Sequence, residues 1–236
     1  MKRSLLLLIL LSGAAGLKGQ SFNHEPMFGG AKKPASQEKE DKRFIERMQT
    51  IDGGQKKAAE YFIEKGWFYF HREILDTAMF RFNQAWLLDE NNPDVYWGFG
   101  SIMGRREHPD KALEMFRMGL KKNPGHVPLK INLATAYMDK ALGKHISENN
   151  KKRLLYISNR LLTEVEAAEP ENSEALYKLA INAYLREEYK LSWAYLEKCK
   201  ETGWAMILPD FVMELSSKER DPKGIFVQEK PWDSNY

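Results

Sequence analysis

Between about Lys57 and Lys218, apolar residues return every three to four positions. That period predicts helices along the whole stretch, and no segment alternates as a strand would. Residues 20 to 43 carry Pro26, Gly29-Gly30, Pro34 and the charged run Glu38 to Arg43. They have no sustained apolar period and read as a linker. Weak helical character begins at Phe44 and breaks at Gly53-Gly54. From Glu219 the pattern is again irregular, with Phe226, Trp232 and Tyr236 set among polar residues, Pro222, Gly224 and Pro231. The chain thus divides into residues 1–19, an N-terminal linking segment over 20–56, a helical domain over 57–218 and a tail over 219–236.

Within the helical domain the residues repeat. Small residues stand at Gly66, Gly100, Ala134 and Ala180, separated by 34, 34 and 46 positions. A second small series is Ala78, Ala112, Ser158 and Ser192. A large apolar series is Phe82, Phe116, Leu162 and Leu196, and a fourth is Ala85, Gly119, Val165 and Cys199. All four agree on a 34-residue repeat with 12 extra residues in the third, between Ala134 and Ser158. A period of this length predicts stacked helical hairpins. Small residues let two helices approach closely, and large ones fill the space between hairpins. A single hairpin cannot bury both faces, so repeats share a core. Asn91-Asn92-Pro93, Asn123-Pro124-Gly125 and Glu169-Pro170-Glu171-Asn172 supply the turns that close the first three repeats. The 12 extra residues predict a longer third hairpin with an exposed loop.

The second repeat carries Tyr96, Phe99-Gly100, Ala112, Phe116, Gly119 and Pro124. The first carries Phe62, Gly66, Tyr69, Ala78, Phe82 and Ala85; the fourth carries Leu176, Leu179-Ala180, Tyr189, Ser192, Leu196 and Cys199. This order resembles the tetratricopeptide repeat family over about residues 59 to 206. Departures are Glu90 and Trp204 where the family favours proline, Lys65 and Lys130 in usually apolar slots, and Val165 in a usually small one. The resemblance implies an all-α, right-handed solenoid of about four hairpins. Pro209 to Lys218 would be a last helix covering the open end.

The first residues change the functional picture. A basic start, Met1-Lys2-Arg3, precedes the apolar run Leu5 to Leu11 and small residues at Ser12 to Gly16. This is the pattern of a secretory signal, with cleavage expected near Gly16 to Gln20. The apolar stretch is shorter than the roughly 20 residues a membrane span needs. Without residues 1–19 the chain keeps 33 basic and 33 acidic residues, so the pI of 8.7 overstates its basic character. A balanced surface argues against nucleic acid as a partner. The single cysteine, Cys199, forms no internal disulfide, and export to a bacterial periplasm fits best. No membrane insertion is expected once the signal is removed.

Motifs for catalysis are missing. His24, His71, His108, His126 and His145 form no pair at metal-ligand spacing. The chain has no phosphate-binding loop, dinucleotide fingerprint or serine elbow. Cys199 falls in a small-residue packing slot. The expectation is a protein that is not an enzyme and holds no metal or cofactor.

The family resemblance implies that the first helix of each repeat lines a concave face. Helix period and family register then place Ile63, Trp67, Phe70 and His71 of repeat one there. Repeat two adds Trp97, Ser101 and Arg105, repeat three Ile131, Thr135, Met138 and Asp139, and repeat four Tyr177, Ile181 and Tyr184. Such a groove is aromatic and suits a peptide or partner protein. Ile63 and Trp67 stand where members that hold a partner's terminal carboxylate need Lys and Asn, which argues against that mode. A structural role in an envelope assembly, or sugar stacking on Trp67 and Trp97, are the other readings. Phe226, Trp232 and Tyr236 could fold back into the groove as an internal ligand.

Overall fold

A computed structural model describes residues 24–30, 32–203 and 207–226; residues 1–19, read as a signal, lie outside them. All regular structure among the described residues is helical. The chain forms two compact units that divide between Gly125 and His126. The first contains α1 (Ala35–Gln49), α2 (Gly54–Phe70), α3 (Leu75–Leu88), α4 (Pro93–Arg105) and α5 (Pro109–Lys122). The second contains α6 (Val127–Ala141), α7 (Glu148–Ala168), α8 (Ser173–Leu185), α9 (Tyr189–Glu201) and α10 (Pro209–Lys218). Four hairpins result, α2–α3, α4–α5, α6–α7 and α8–α9.

The repeating small residues do what their period implies. A Cβ placed on Gly66 would lie 2.7 Å from the ring of Phe82, and one on Gly100 would lie 2.3 Å from the ring of Phe116. Gly98 of α4 meets the same Phe82 ring, at 2.3 Å. Phe82 is therefore held between glycines on two successive first helices. In the second unit alanine stands in the glycine slot and leucine in the phenylalanine slot, and Ala180 and Leu196 share one buried cluster. Ala78, Ala112, Ser158 and Ser192 are all buried, and the Ser192 hydroxyl donates to the Ala180 carbonyl at 2.8 Å.

Caps set the helix ends. Asn92, Ser147 and Asn172 accept from the backbone N–H of Asp94, Asn150 and Ala175 at the starts of α4, α7 and α8. Pro93 and Pro109 occupy first turns, where their missing N–H costs little. The turn inside three hairpins carries a glutamate at positive φ: Glu73 (58°), Glu107 (60°) and Glu187 (64°). Each belongs to the same paired closure of the preceding helix. His108 N–H donates to Met103 O at 2.9 Å and Glu107 N–H to Gly104 O at 3.0 Å, with equivalent pairs after α2 and α8. This is a further slot of the repeat, and glycine usually fills it.

The third hairpin absorbs the 12 extra residues as expected. Compared with the second, α6 runs two residues further past its small residue, the loop is three longer, and α7 begins seven residues, or two turns, earlier.

Two segments differ from the sequence reading. The supposed linker contains the start of α1, which begins directly after Pro34 and ends in the stretch from Phe44 whose pattern is weakly helical. Strong helix formers and i,i+4 partners such as Gln37 and Asp41 support it without an apolar stripe. None of its residues is buried, and Phe44 meets Phe62 of α2 at 5.5 Å between ring centres. Pro26–Gly30 forms a short 3-10 turn in which Met27, Phe28, Gly29 and Gly30 all have positive φ. It lies on α3 as a strap, with Phe28 buried. Apolar period cannot show such a segment, because its contacts are to residues more than 50 positions away.

The tail also differs. Asp221 is buried, and its carboxylate accepts from the backbone N–H of Lys223 and Phe226. Trp193 of α9 donates its indole N–H to the Glu219 carbonyl at 3.0 Å, and Phe226 lies 5.7 Å from the Trp193 ring. Phe226 therefore packs on a second helix instead of the predicted binding face. Trp232 and Tyr236 lie outside the described residues.

Two stability predictions arise. Gly100→Ala gains helix propensity but drives a methyl into the Phe116 ring, and such overpacking costs more. Urea titration should show a loss of about 1–2 kcal/mol, with part recovered by adding Phe116→Leu. An unchanged single variant would show that the ring yields freely. Glu107→Gly removes a left-handed penalty and should raise stability by about 0.5–1 kcal/mol, after the entropy glycine adds to the unfolded chain.

Candidate functional site

An aromatic side-chain cluster lies in the first unit. It joins the end of α2 to the middle of α4. The Trp67 and Trp97 rings are 4.3 Å apart and tilted by 52°. Trp67 also meets Phe70 edge-on at 5.4 Å and stacks with His71 at 6.0 Å, while its inner edge rests on Phe82 at 5.3 Å. The Arg105 guanidinium lies 5.7 Å from the Phe70 ring centre and pairs with Glu73 at 3.3 Å. Trp67, Phe70 and Trp97 are half-buried, and His71 and Arg105 are exposed.

The origin of the cluster is local. Trp67, Phe70 and His71 are three and four positions apart and so share one helix face. Phe82, held between Gly66 and Gly98, leaves the α2–α4 seam narrow enough for the two indoles to touch. The result is a patch of rigid rings with a cation at its rim. It suits an apolar or aromatic side chain, with a carboxylate or main-chain carbonyl beside Arg105.

Ile63, the other site residue predicted in this unit, is buried. α2 packs along α4, and a compact aliphatic chain on that stripe is covered where the larger indoles reach out.

In the second unit the predicted set does not form a comparable surface. Ile131 and Met138 are buried, Met138 in a cluster with Ala141 and Leu155. Thr135 is half-buried, and its hydroxyl donates back to the Ile131 carbonyl at 3.0 Å. Asp139 is exposed. Tyr177 and Tyr184 pack against α10, with Tyr177 buried and Tyr184 half-buried. Phe211 meets their rings at 5.9 and 5.6 Å, and the Tyr177 hydroxyl oxygen accepts from Leu208 N–H. Tyr184 donates its hydroxyl to Glu214, and that bond, ahead of desolvation, pushes its pKa up to about 12. The cap thus uses the face that the register assigned to a ligand. An amphipathic capping helix needs an apolar surface to close against, and the two tyrosines supply it.

Sequence reading also missed a stripe on α2. Tyr61 and Phe68 are 52% and 44% exposed. The Lys65 ammonium sits 5.3 and 5.6 Å from their ring centres, and Arg72 lies over Phe68 at 3.5 Å. Their helical spacing was visible, but the same spacing describes a core stripe.

Cys199 is buried, with its sulfur 3.4 Å from the Ser173 carbonyl. Burial pushes its thiol up to about 11, so the reactive thiolate is scarce. Among the described residues, no group of three or more His, Cys, Asp or Glu could hold a metal ion. No helix among them is long and apolar enough to cross a membrane.

No family model and no curated protein matches this sequence. Solved structures do. The Pseudomonas aeruginosa pilF structure is 18% identical with a TM-score of 0.59, covering 71% of this chain and 72% of that one. TTC0263, a thermophilic tetratricopeptide protein of Thermus thermophilus, is 17% identical with a TM-score of 0.60, covering 69% and 84%. PilW, described as a widely conserved type IV pilus biogenesis factor, is 15% identical with a TM-score of 0.58, covering 72% and 74%. The protein therefore has the all-α tetratricopeptide fold.

Proposed function

We propose that this protein is a non-enzymatic binding module of the cell envelope that holds a peptide segment of a partner protein against its first unit. The contact surface is the patch of Trp67, Phe70, His71 and Trp97, with Arg105 at its rim. The observation that carries this reading is the pair of half-buried indoles 4.3 Å apart. Tryptophan and arginine are the residue types that most often dominate binding energy at interfaces. Rings already held by Phe82 and by each other lose little freedom when a ligand docks. The fold supports the reading too, since repeat hairpins present rigid surfaces to other proteins. The likeness to a pilus biogenesis factor is in keeping with a protein-binding role.

Export rests on the sequence of residues 1–19. A periplasmic setting also agrees with a chain whose only cysteine is a buried packing residue. The sugar-stacking alternative is weaker, because each indole turns part of its face toward the other. A scaffold role is the second reading, favoured by the exposed Tyr61–Phe68 stripe on α2. Light scattering on the purified chain and on a Tyr61→Ser, Phe68→Ser variant tests it.

Two outcomes are expected. Peptides selected from a random library on the purified chain should lose at least about tenfold in affinity for the Trp67→Ala, Trp97→Ala double variant, as loss of two anchor residues implies. Its helical circular dichroism should persist. Selected peptides that bind both proteins equally would place the site elsewhere. Mass spectrometry of the protein from an exporting bacterial host should find a new N-terminus near Gly16 to Gln20. An intact Met1 would remove the export reading.

A further inference from the structure

The strap on α3 is bound as ligands are bound. Asn83 is wholly buried on α3, and both ends of its amide address the strap's main chain. Its oxygen accepts from Phe28 N–H at 3.3 Å, and its nitrogen donates to the Glu25 carbonyl at 2.9 Å. Arg106, just after α4, donates to the His24 carbonyl and pairs with Asp76 at 2.6 Å. Side chains add anchors at both ends. His24 lies 3.0 Å from Asp76, and Glu25 lies 2.9 Å from Lys111. Phe28 meets Trp86 edge-on at 6.4 Å, and the Lys33 ammonium covers its ring at 3.3 Å.

Two further features separate this from ordinary chain packing. Met27 and Phe28 are left-handed, with φ of 52° and 58°, a shape that L-residues avoid when free. The site imposes that shape, so the strap is the partner that adapts. The strap continues into α1, which buries none of its residues. Lifting the strap would therefore withdraw Pro26 and Phe28 from α3 without drawing out a buried residue of α1. Beside Phe28 a cleft of about 890 Å³ opens, lined by Phe44, Phe80, Leu87, Arg43 and Arg47. It has room for residues that flank a phenylalanine anchor.

We infer that the face of α3 bearing Asp76, Asn83 and Trp86, with Arg106 and Lys111, is a second peptide-binding site, and that residues 24–30 are its tethered ligand. The ligand class is a short segment in left-handed turn conformation with an acidic residue three positions before a buried phenylalanine. Asn83 and Arg106 read its main chain, Trp86 takes the ring, and Lys111 takes the acid. A partner segment of this chemistry binds by displacing the strap, so the strap is a built-in competitor. Its tether gives it an effective concentration on the order of millimolar, which sets the affinity a partner must exceed. This surface is separate from the Trp67–Trp97 patch, and the two sites stand or fall independently.

The test uses the full-length chain and a fluorescein-labelled peptide of residues 24 to 34, followed by anisotropy. Phe28→Ala weakens the tethered competitor, so it should bind the peptide at least about tenfold more tightly than the unaltered chain. Met27→Gly relieves the left-handed backbone and tightens the strap, so its peptide affinity should fall below that of the unaltered chain. The peptide with its own phenylalanine changed to alanine should not bind. Equal binding by all three chains, or none by Phe28→Ala with helicity intact, would overturn the proposal. Should Phe28→Ala fail to fold, a protease recognition sequence inserted after Gly30 allows the strap to be cut after folding. The freed segment should then exchange with labelled peptide. A cut segment that leaves without peptide replacing it would overturn the proposal equally.

Discussion

The fold depends on one steric complementarity: a large side chain on the second helix of a hairpin fits a gap on the first helix. In the first unit, phenylalanine rings enter spaces that a single added methyl would close. In the second, leucine stands in the ring's slot and alanine in the glycine's, so the summed volume is nearly kept. Protein interiors are dense enough for a difference of one methylene to be felt. The 34-residue period is the sequence record of that fit. Val165, which stands in a usually small slot, is buried as its counterparts Ala85, Gly119 and Cys199 are.

The same fit positions the candidate binding patch. Phe82 holds α2 and α4 close through Gly66 and Gly98, and Trp67 stands on the outer edge of its ring. The two indoles then meet across the seam and cannot both sink into it. A ring too large for the seam is forced to remain half-exposed, and this makes it available to a partner. In the second unit α10 packs against Tyr177 and Tyr184, and the corresponding face becomes an internal interface. One register can thus serve recognition in one place and stability in another, depending on whether a further helix follows.

Two features run against local backbone preference. Glutamates occupy left-handed turn positions after α2, α4 and α8, and Met27 and Phe28 do so in the strap. At the turns, paired carbonyl bonds at the helix end hold the conformation. In the strap, the buried Asn83 amide and the Arg106 guanidinium hold it. Left-handed residues persist only where surrounding contacts over-determine them. The strap is the more demanding case, since two non-glycine residues adopt that shape in succession.

The periodic part of the protein was legible from the residues alone: the helical class, the four hairpins, the longer third hairpin and the helix at Pro209–Lys218. These are set by spacing along the chain, and spacing is a property of the sequence. Trp67, Phe70 and His71 were legible as one helix face for the same reason, and the family resemblance implied that Trp97 and Arg105 of the next repeat share that side. Which apolar residues on that face stay open was settled by packing in three dimensions. Ile63 shares a stripe with Trp67, and Ile131 and Tyr177 hold the matching positions of their own helices, but all three are buried, and exposure depends on what packs opposite. The strap and the first two turns of α1 were likewise invisible, although weak helical character from Phe44 marked the end of α1. The strap is held by Asn83 and Trp86, residues distant in sequence, and the place of α1 is marked by Phe62; no local period records contacts of that kind.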